Sequence, residues 1–456
     1  MSHPDLSLVP EVDMEAELGK VEAALLARWP ESKLEPSLDR IAALCDVLGS
    51  PQHGYPVIHL TGTNGKTSTA RMIESLLRAF GLRTGLFTSP HLQSLRERIA
   101  FDGEPISAER FVAAYQDLEP YLGMVDAAQE HPLSFFEVMT ALAYAAFADA
   151  PVDVAIVEVG MGGSWDATNV ADGQVAVLTP IAVDHAKYLG DTAAVIAVEK
   201  AGIIKPGAFA VLAAQSPEVA EVVLRRAAEV GAAVGREGGE FGVRGRLGAV
   251  GGQVVAVAGL GGLYDDLFLP LLGAHQAHNA ACALAAVESF LGGASAQLDL
   301  DLVRAGFAAA SSPGRLEVVR RSPSIVLDAA HNPAGAVAAA TALQEDFAFS
   351  RLIGVVGVMA DKDTVGILAA LEPVLDEIVI TRVRDPRALP VDELAAVAVE
   401  VFGADRVQVE ERLDDALDAA VALAEDGDDP AGAGVLVIGS VVLAGAARTL
   451  LKGRRP

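Results

Sequence analysis

The sequence predicts an α/β protein of two domains. The first is a parallel sheet with helices on both faces and a small β insertion, and the second is a smaller α/β unit. Two observations predict this class. Short apolar runs alternate with helical patterns along most of the chain, and the alternation starts again after the turn-rich residues 311–314. Because 456 residues are too many for one compact core, we divide the chain near residue 310, into domains of residues 1–310 and 311–456.

The elements of the first domain follow from the apolar pattern. Nearly continuous apolar runs are typical of parallel strands that are covered on both faces. We predict strands at 57–60, 84–88, 154–159, 175–179 and 208–212. Helical patterns lie at 67–79, 108–118, 135–148, 192–201, 277–290 and 302–309. The Gly- and Val-rich segment 235–262 alternates over short stretches and predicts a small β-meander.

The second domain repeats the alternation of strand and helix and is predicted to be Rossmann-like. Its strands are expected at 325–328, 352–356, 377–381 and 434–438, with helices between them.

Composition excludes some classes of function. The chain is 52% hydrophobic and 21% charged, which is typical of a globular protein. A net charge of −27 argues against a nucleic-acid-binding surface, although local cations and helix ends can still hold an anionic substrate. Cys45 and Cys282 lie in apolar helical patterns and are expected to be buried.

We expect a cytoplasmic protein without a membrane span. The N-terminus is polar and acidic and lacks the apolar segment of a signal peptide. Two long uncharged stretches, 247–264 and 267–287, are interrupted by glycines or by polar side chains, which disfavours a membrane helix.

Residues 60–68, LTGTNGKTS, stand between a predicted strand and a predicted helix, as a phosphate-binding loop requires. Gly62 and Gly65 would let the backbone approach an anion, Lys66 would reach the β and γ phosphates, and Thr67 or the serine after it could help to hold Mg²⁺. Position 60 is leucine, so the chain has the shorter GTNGKT form. The plain alternative is an ordinary glycine turn.

Two polar side chains stand at the carboxyl ends of predicted strands. Glu158 ends an apolar strand and precedes glycines that would admit a ligand, and His185 follows the strand predicted at 175–179. In an open parallel sheet these ends border the ligand crevice, so both side chains could reach a metal or a phosphate. The alternatives are a solvated carboxylate and a structural histidine.

Lys200 lies at the end of a predicted helix, where a surface lysine that favours the helix dipole is the plain interpretation. The chain, however, has eight lysines against 26 arginines. A lysine in such a chain indicates chemistry that only an amine provides.

Further polar groups stand at element boundaries. Gln276 and Asn279 could recognise an adenine edge, with helix capping by Asn279 as the alternative. In the second domain, Asp328 closes a strand and His331 opens a helix, either to face an interdomain cleft or to form a turn and cap.

Taken together, these segments resemble the folylpolyglutamate synthase/dihydrofolate synthase family, within the Mur-type ATP-dependent amide ligases. The resemblance rests on nine motifs that follow in order across about 270 residues. They are GTNGKT (62–67), TSPHL (88–92), FFE (135–137), EVGMGG-x-x-DATN (158–169), DH (184–185), EKAGI (199–203), HQ-x-x-N (275–279), PGRLE (313–317) and DAAHNP (328–333).

The resemblance implies the ligands and the residues that hold them. Residues implied to contact ATP are Gly62, Thr63, Asn64, Gly65, Lys66, Thr67, Asn279, Arg315 and Asp328. Those implied to bind Mg²⁺, of which two ions are expected, are Ser89, Glu158 and His185. Lys200 is similar to the family lysine that is carbamylated and then helps to bind the second ion. His331 would face the incoming glutamate.

On the pterin side, the resemblance implies contacts from Asp39, Arg40, Phe136, Trp165, Asp166 and Ala167. Two departures from the family pattern occur nearby. Ser164-Trp165 stands where many members have Arg-Leu, and Lys187 is an unusual charge beside the DH motif.

The implied activity is that of a monomeric ligase with Lys66, Lys200 and His331 as catalytic residues. It adds L-glutamate to dihydropteroate or to the glutamate tail of folates through an acyl phosphate, releasing ADP and phosphate. The alternatives are a Mur-type ligase acting on a peptidoglycan precursor or another carboxylate, and a non-catalytic regulatory ATPase that binds a partner.

Overall fold

A computed structural model describes residues 13–30, 35–292, 295–426, 429 and 431–452. The expectation about a signal peptide falls mainly on residues 1–12, outside the described residues. In the described part, no helix combines the length and the apolarity needed to cross a membrane.

The first domain contains an eight-stranded sheet in the order β4-β3-β2-β5-β1-β6-β7-β8. Its strands are β1 Val57–Thr61, β2 Thr84–Phe87, β3 Ile99–Phe101, β4 Glu104–Pro105, β5 Val154–Glu158, β6 Gly173–Leu178, β7 Phe209–Leu212 and β8 Ala233–Arg236. Six strands run parallel, but β3 and β4 are antiparallel and extend one edge. The predicted parallel sheet is therefore present, and two antiparallel strands that were not predicted extend it at that edge.

Helices cover both faces of this sheet, as predicted. They are α1 Met14–Leu26, α2 Asp39–Val47, α3 Lys66–Ala79, α4 Ala108–Ala128, α5 Phe135–Asp149, α6 Ala186–Leu189, α7 Ala193–Lys200, α8 Pro217–Val230, α9 Ala274–Gly292 and α10 Leu300–Ala308. Alternate strand residues divide between the two faces. Ile156 packs with α3, α9 and α10, whereas Ala155 and Val157 pack with α1, α2, α4 and α5.

The β insertion forms a separate antiparallel sheet in the order β11-β10-β9, with strands β9 Gly242–Ala249, β10 Gly252–Ala258 and β11 Leu263–Leu269. The predicted bounds of 235–262 were wrong at both ends. Residues 235 and 236 complete β8 in the main sheet, and β11 extends to Leu269. The two cysteines are free and buried, in α2 and α9, as predicted.

The second sheet begins at Glu317 and has the order β12-β13-β17-β14-β15-β16. Its strands are β12 Glu317–Arg321, β13 Ser324–Leu327, β14 Arg351–Val356, β15 Glu377–Thr381, β16 Val407–Glu410 and β17 Ala433–Ile438. All but β12 are parallel. Its helices are α11 Pro333–Asp346, α12 Thr364–Leu371, α13 Val391–Phe402, α14 Leu413–Glu425 and α15 Val441–Lys452. The four predicted strands are all present.

Candidate active site

The loop between β1 and α3 is held tightly at two glycines. Gly65 caps α3 with a φ of 86°, and a Cβ there would lie 2.5 Å from the side chain of Asn279. Gly62 has a φ of 148°, and a Cβ there would lie 1.9 Å from Thr179 Oγ1. The N–H of Thr63 donates to Pro180 O at 2.9 Å. Larger side chains at the two glycines would therefore displace the loop from the start of α3, where unpaired N–H groups favour an anion.

Two lysine side chains meet at the carbonyl of Gly62. Lys66 Nζ donates to Gly62 O at 3.1 Å and to Thr63 O at 3.2 Å. Lys200, buried at the end of α7, donates to Gly62 O at 2.8 Å. Burial, with the charge of Lys66 as a second cause, lowers the pKa of Lys200 to about 7. Burial also lowers the pKa of Lys66.

Glu158 presents a buried carboxylate beside the loop. Both of its oxygens accept from Thr67 Oγ1 at 3.0 Å, and Oε2 also accepts from the N–H of Ser89 at 3.4 Å. Burial raises the pKa of Glu158, opposed chiefly by the charge of Lys66. A buried carboxylate beside the hydroxyl of Thr67 fits a hard cation such as Mg²⁺, which also takes water and phosphate oxygens. Among the described residues, no group of three His, Cys, Asp or Glu side chains forms a metal cluster by itself.

Asp184 joins the two domains and was not predicted as a site residue. It accepts from Lys362 Nζ at 2.8 Å and from Asn332 Nδ2 at 3.2 Å, both from the second domain. His185 Nε2 and His331 Nε2 lie 3.9 and 3.7 Å from its carboxylate. Burial opposes the charge of Asp184, but His185, Lys362 and His331 around it hold its pKa well below the ordinary value. Burial lowers the pKa of both histidines to about 4, so their imidazoles are neutral near pH 7.

Asn332 combines a helix cap with an interdomain contact. Its Oδ1 accepts from the N–H of Gly335 at 2.8 Å and so caps α11, which begins at Pro333. Its amide also exchanges two hydrogen bonds with Asn64 in the phosphate loop, at 3.0 and 3.2 Å. The sequence analysis treated helix capping and a position at the interdomain cleft as alternatives for this segment, and Asn332 does both.

Asp328 and Arg315 lie on the second-domain side of the same space. The carboxylate of Asp328 is buried and accepts from the N–H groups of Leu316 and Ala330 at 2.9 and 2.8 Å. Burial raises the pKa of Asp328, and the charge of Arg315 opposes this. Arg315 Nη1 donates to Gly314 O at 3.1 Å.

Asn279 does not cap α9, because this helix begins at Ala274. Its Nδ2 donates to Gln276 Oε1 at 3.1 Å, and Gln276 Nε2 donates to Ser68 Oγ at 3.3 Å. The capping alternative was therefore wrong. Both ends of the Gln276 amide are hydrogen-bonded within the protein, whereas the side chain of Asn279 lies against the phosphate loop.

A cavity of about 390 Å³ brings most of the predicted residues together between the two domains. The predicted residues that line it are Gly62, Thr63, Asn64, Gly65, Lys66, Thr67, Ser89, Glu158, His185, Lys200, Asn279, Arg315, Asp328 and His331. The nucleotide, metal and catalytic sets of the sequence analysis thus share one space.

The six pterin-side residues lie outside the lining of this cavity. Both oxygens of Asp166 are engaged within its own loop, by the N–H groups of Met161 and Thr168 at 2.9 and 3.0 Å. Ala167 is buried in the following turn, and the N–H of Trp165 donates to Glu199 Oε1 at 3.1 Å.

Arg40 Nε donates to Glu137 Oε1 at 3.0 Å, which ties α2 to the start of α5. Asp39 begins α2 and is exposed. The ring of Phe136 lies against Gly160, where a Cβ would be 2.5 Å from it. Since Gly160 lines the cavity, Phe136 is adjacent to the site through that glycine.

Comparison with known proteins identifies the family. The Mur ligase middle domain matches residues 60–287, and the glutamate ligase domain of Mur ligases matches residues 314–441. The chain belongs to the Mur ligase family. Among relatives in this family, the dihydrofolate synthase/folylpolyglutamate synthase of Mycobacterium tuberculosis is 55% identical, over 98% of this chain and 96% of the relative. The resemblance found in the sequence is confirmed.

Solved structures of Mur ligase relatives agree in fold. The M. tuberculosis folylpolyglutamate synthase complexed with ADP has a TM-score of 0.93 at 55% identity and covers 97% of this chain and 100% of its own. The Escherichia coli FolC in complex with DHPP and ADP has a TM-score of 0.81 at 31% identity, with coverages of 97% and 98%. The predicted α/β class with a second, smaller domain is confirmed.

Proposed function

We propose that this protein is an ATP-dependent ligase that adds L-glutamate to dihydropteroate, to the glutamate tail of folates, or to both. The observation that carries the proposal is the interdomain cavity, in which a glycine loop, two lysines and a buried strand-end carboxylate face residues of the second domain. The folylpolyglutamate synthase relatives, among them structures with ADP, support the same activity.

In the proposed reaction, an oxygen of the acceptor carboxylate attacks the γ-phosphorus of ATP and the bond to ADP breaks. The amine of glutamate then attacks the acyl carbon, loses a proton, and displaces phosphate to form the amide. The ammonium of Lys66 neutralises charge on the transferring phosphoryl group, and the loop positions it. His331 would face the incoming amine, since it lies at the carboxyl end of β13 beside Asp184.

We assign Mg²⁺ to Ser89, Glu158 and His185. The hydroxyl and the carboxylate are the oxygen ligands that the ion prefers, and the neutral imidazole adds a nitrogen. When bound, Mg²⁺ supplies charge neutralisation at the phosphate oxygens. For Lys200 we propose carbamylation, which provides oxygens for a second ion. The lowered pKa of its amine and the carbonyl of Gly62 that fixes it support this assignment.

We assign the nucleotide to the loop of residues 62–67 together with Arg315, Asp328 and Asn279.

The domain division at residue 310 stays a proposal; the second sheet begins seven residues later, at Glu317. For the pterin side, we keep the proposal of Asp39, Arg40, Phe136, Trp165, Asp166 and Ala167. Within it, the engaged oxygens of Asp166 indicate a role in shaping the loop. A cytoplasmic monomer also stays a prediction.

The Mur-type alternative with a peptidoglycan precursor is not favoured, since the relatives matched over nearly the whole chain are folate-type synthases. A regulatory ATPase without ligase activity would leave Ser89, His185 and Lys200 without a purpose.

The test is ADP release with ATP and Mg²⁺, measured with and without L-glutamate. Dihydropteroate, tetrahydrofolate and a UDP-muramoyl compound are compared as acceptors. We expect glutamate-dependent release with at least one of the two pterin compounds. Release with the muramoyl compound alone, or release that glutamate does not change, would overturn the proposal.

A further inference from the structure

The first strand of the large sheet contains a buried histidine that the proposed chemistry does not use. His59 lies in β1 between apolar neighbours and is fully buried. Its Nε2 is 2.8 Å from Thr168 Oγ1, in the short helical turn Ala167–Val170. Among the described residues, none hydrogen-bonds to the Nδ1 of this histidine. An aliphatic side chain would fill the position without leaving a buried nitrogen unpaired, so the contact with Thr168 is the feature that needs a histidine.

The protons of this contact have one arrangement near pH 7. Burial raises the pKa of Asp166 to about 6, so its carboxylate is mainly ionised, and Thr168 Oγ1 donates to its Oδ1. The hydroxyl has then used its proton and accepts from His59 Nε2. Burial lowers the pKa of His59 to about 3, so the imidazole is neutral and its single N–H lies on Nε2. The three side chains therefore form a chain of hydrogen bonds with a fixed direction, which ends on an anion.

This chain of hydrogen bonds holds a loop that lines the interdomain cavity. Asp166 Oδ2 accepts from the N–H of Met161 at 2.9 Å, and Met161 and Gly160 both line the cavity. A second contact joins the same loop to β1, because Thr61 Oγ1 donates to Gly162 O at 2.8 Å. The phosphate loop follows β1 directly, so one strand fixes the positions of both loops.

We propose that His59 and Thr168 are positioning residues of the ligase reaction. They hold the loop of residues 159–166 where the acceptor carboxylate can reach the γ-phosphate on the neighbouring phosphate loop. This inference rests on the proposed function, because it concerns the acceptor of that reaction. Neither residue lines the cavity, so both act through Asp166 and the backbone of Met161. A displacement of about 1 Å between reacting groups is enough to slow a transfer strongly.

The experiment compares two near-isosteric variants. Thr168→Val keeps the size of the side chain and removes the hydroxyl, whereas Thr168→Ser keeps the hydroxyl. Tyr144→Phe is the matched control, because the hydroxyl of Tyr144 donates to the backbone oxygen of Thr168 at 2.7 Å. It holds the same turn without being part of the chain. Initial rates of glutamate-dependent ADP release give kcat and KM for the pterin acceptor, and calorimetry gives the affinity for ADP.

The loss should fall on the acceptor and not on the nucleotide. In Thr168→Val we expect kcat/KM for the acceptor to fall by at least about tenfold, while the affinity for ADP stays within about threefold of the wild type. Thr168→Ser and Tyr144→Phe should stay within about threefold in both quantities. His59→Leu should lower kcat/KM as Thr168→Val does, and the double variant should lower it no further, because either change breaks the same connection.

NMR of protein labelled with ¹⁵N in histidine identifies the protonated nitrogen of His59 in the wild type. The signal is assigned by its loss in His59→Gln, which keeps a side-chain N–H donor. We expect the proton on Nε2.

Three outcomes would overturn the inference. They are unchanged kcat/KM for the acceptor in folded Thr168→Val, an equal loss in Tyr144→Phe, and single effects that multiply in the double variant. A proton on Nδ1 of wild-type His59 would also overturn it, even if no variant at Thr168 folds. Glutamate-dependent ADP release by the wild type would leave the proposed function standing in all these cases. Its absence with every acceptor would overturn the proposed function as well.

Discussion

At the scale of single residues, the two lysines at the carbonyl of Gly62 determine the charge state of the site. Their amines donate to the same oxygen, at 2.8 Å from Lys200 and 3.1 Å from Lys66. Burial lowers the pKa of Lys200 to about 7 from its ordinary 10.5. The folded protein therefore binds fewer protons than the unfolded chain between these values, and this residue makes the free energy of unfolding rise with pH across that window. Below pH 7 Lys200 is charged in the folded protein, and the full cost of burying that charge lowers the free energy of unfolding.

Replacement of Lys200 tests the proposed carbamylation. Lys200→Ala and Lys200→Arg should each reduce ligase activity by at least about 10²-fold, because neither side chain can become a carbamate. A small carboxylic acid should restore part of the activity of Lys200→Ala only, since arginine still occupies the space. Initial rates of ADP release with and without the acid measure this. Wild-type activity in Lys200→Arg would contradict the modification.

The pH dependence provides a control on the same residue. Carbon dioxide reacts with the neutral amine, whose fraction rises from about a tenth at pH 6 to about nine-tenths at pH 8 for a pKa near 7. Activation of carbonate-depleted enzyme by bicarbonate should rise over the same interval. Activation that is independent of pH would argue against an amine as its target.

At the scale of elements, the β insertion binds the C-terminal end of α11 through an arginine. Arg246 on β9 donates to Glu345 at 2.8 Å and also pairs with Asp346, the last residue of the helix. Asp346 also accepts from the N–H of Gly273 at 2.6 Å. Because α11 begins at Pro333, directly after Asn332, the insertion fixes the helix whose N-cap residue contacts the phosphate loop.

Arg246→Ala should release this contact. We expect a loss of about 1–3 kcal/mol in the free energy of unfolding, because Asp346 is buried and keeps only one partner. The KM for ATP should rise several-fold, since α11 also lines the cavity. Thermal melting and initial rates measure both effects. Arg244→Ala is the matched control, an exposed arginine on the same strand; equal effects from the two variants would contradict the assigned contact.

The elements most easily predicted were those with long, regular patterns. The buried parallel strands, such as β5 and β17, are continuous apolar runs, so their sequence alone identifies them. The antiparallel edge was not predicted, because β3 has three residues and β4 two, too few to show a period. The end of β8 was assigned to the insertion because glycine and valine continue across the boundary.

For the site, the motifs predicted the residues that line the cavity better than the contacts between the domains. Asp184 and Asn332 stood inside quoted motifs, but their pairing across 148 residues has no local signal. Lys362 was also missed. The scarcity of lysine that drew attention to Lys200 applies equally to Lys362, so one signal for it was present in the sequence.

At the scale of the whole molecule, a buried ion pair between Asp184 and Lys362 holds the two domains together at the site. The side chains are 10% and 7% exposed, and their atoms are 2.8 Å apart. Since Asp184 also accepts from Asn332, two side chains of the second domain donate hydrogen bonds to one carboxylate of the first. These contacts are lost when the domains separate, so they favour the closed arrangement.

Lys362→Met should therefore affect the reaction more than nucleotide binding. We expect kcat to fall by at least about tenfold, because closure excludes water from the acyl phosphate, while the affinity for ADP stays within about threefold. Rapid-mixing experiments measure the rate of the reaction, and calorimetry measures the affinity for ADP. Lys452→Met is the control, because this lysine is more exposed and pairs with Glu317 inside the second domain. A matching loss of ADP affinity in Lys362→Met would place the lysine in the nucleotide site instead.

The segment that follows Ser89 packs against α15. Gln93 Nε2 donates to Thr449 Oγ1 at 2.9 Å, and its Oε1 accepts from Arg448. A Cβ at Gly445 would lie 1.9 Å from Leu92 O, so any other residue there would push the segment away. The first and second domains therefore cannot be exchanged freely with those of a relative. A chimera needs its residues 89–93 and its α15 from the same parent, because a mismatched pair would misplace Ser89, which lines the interdomain cavity, even when each half folds correctly.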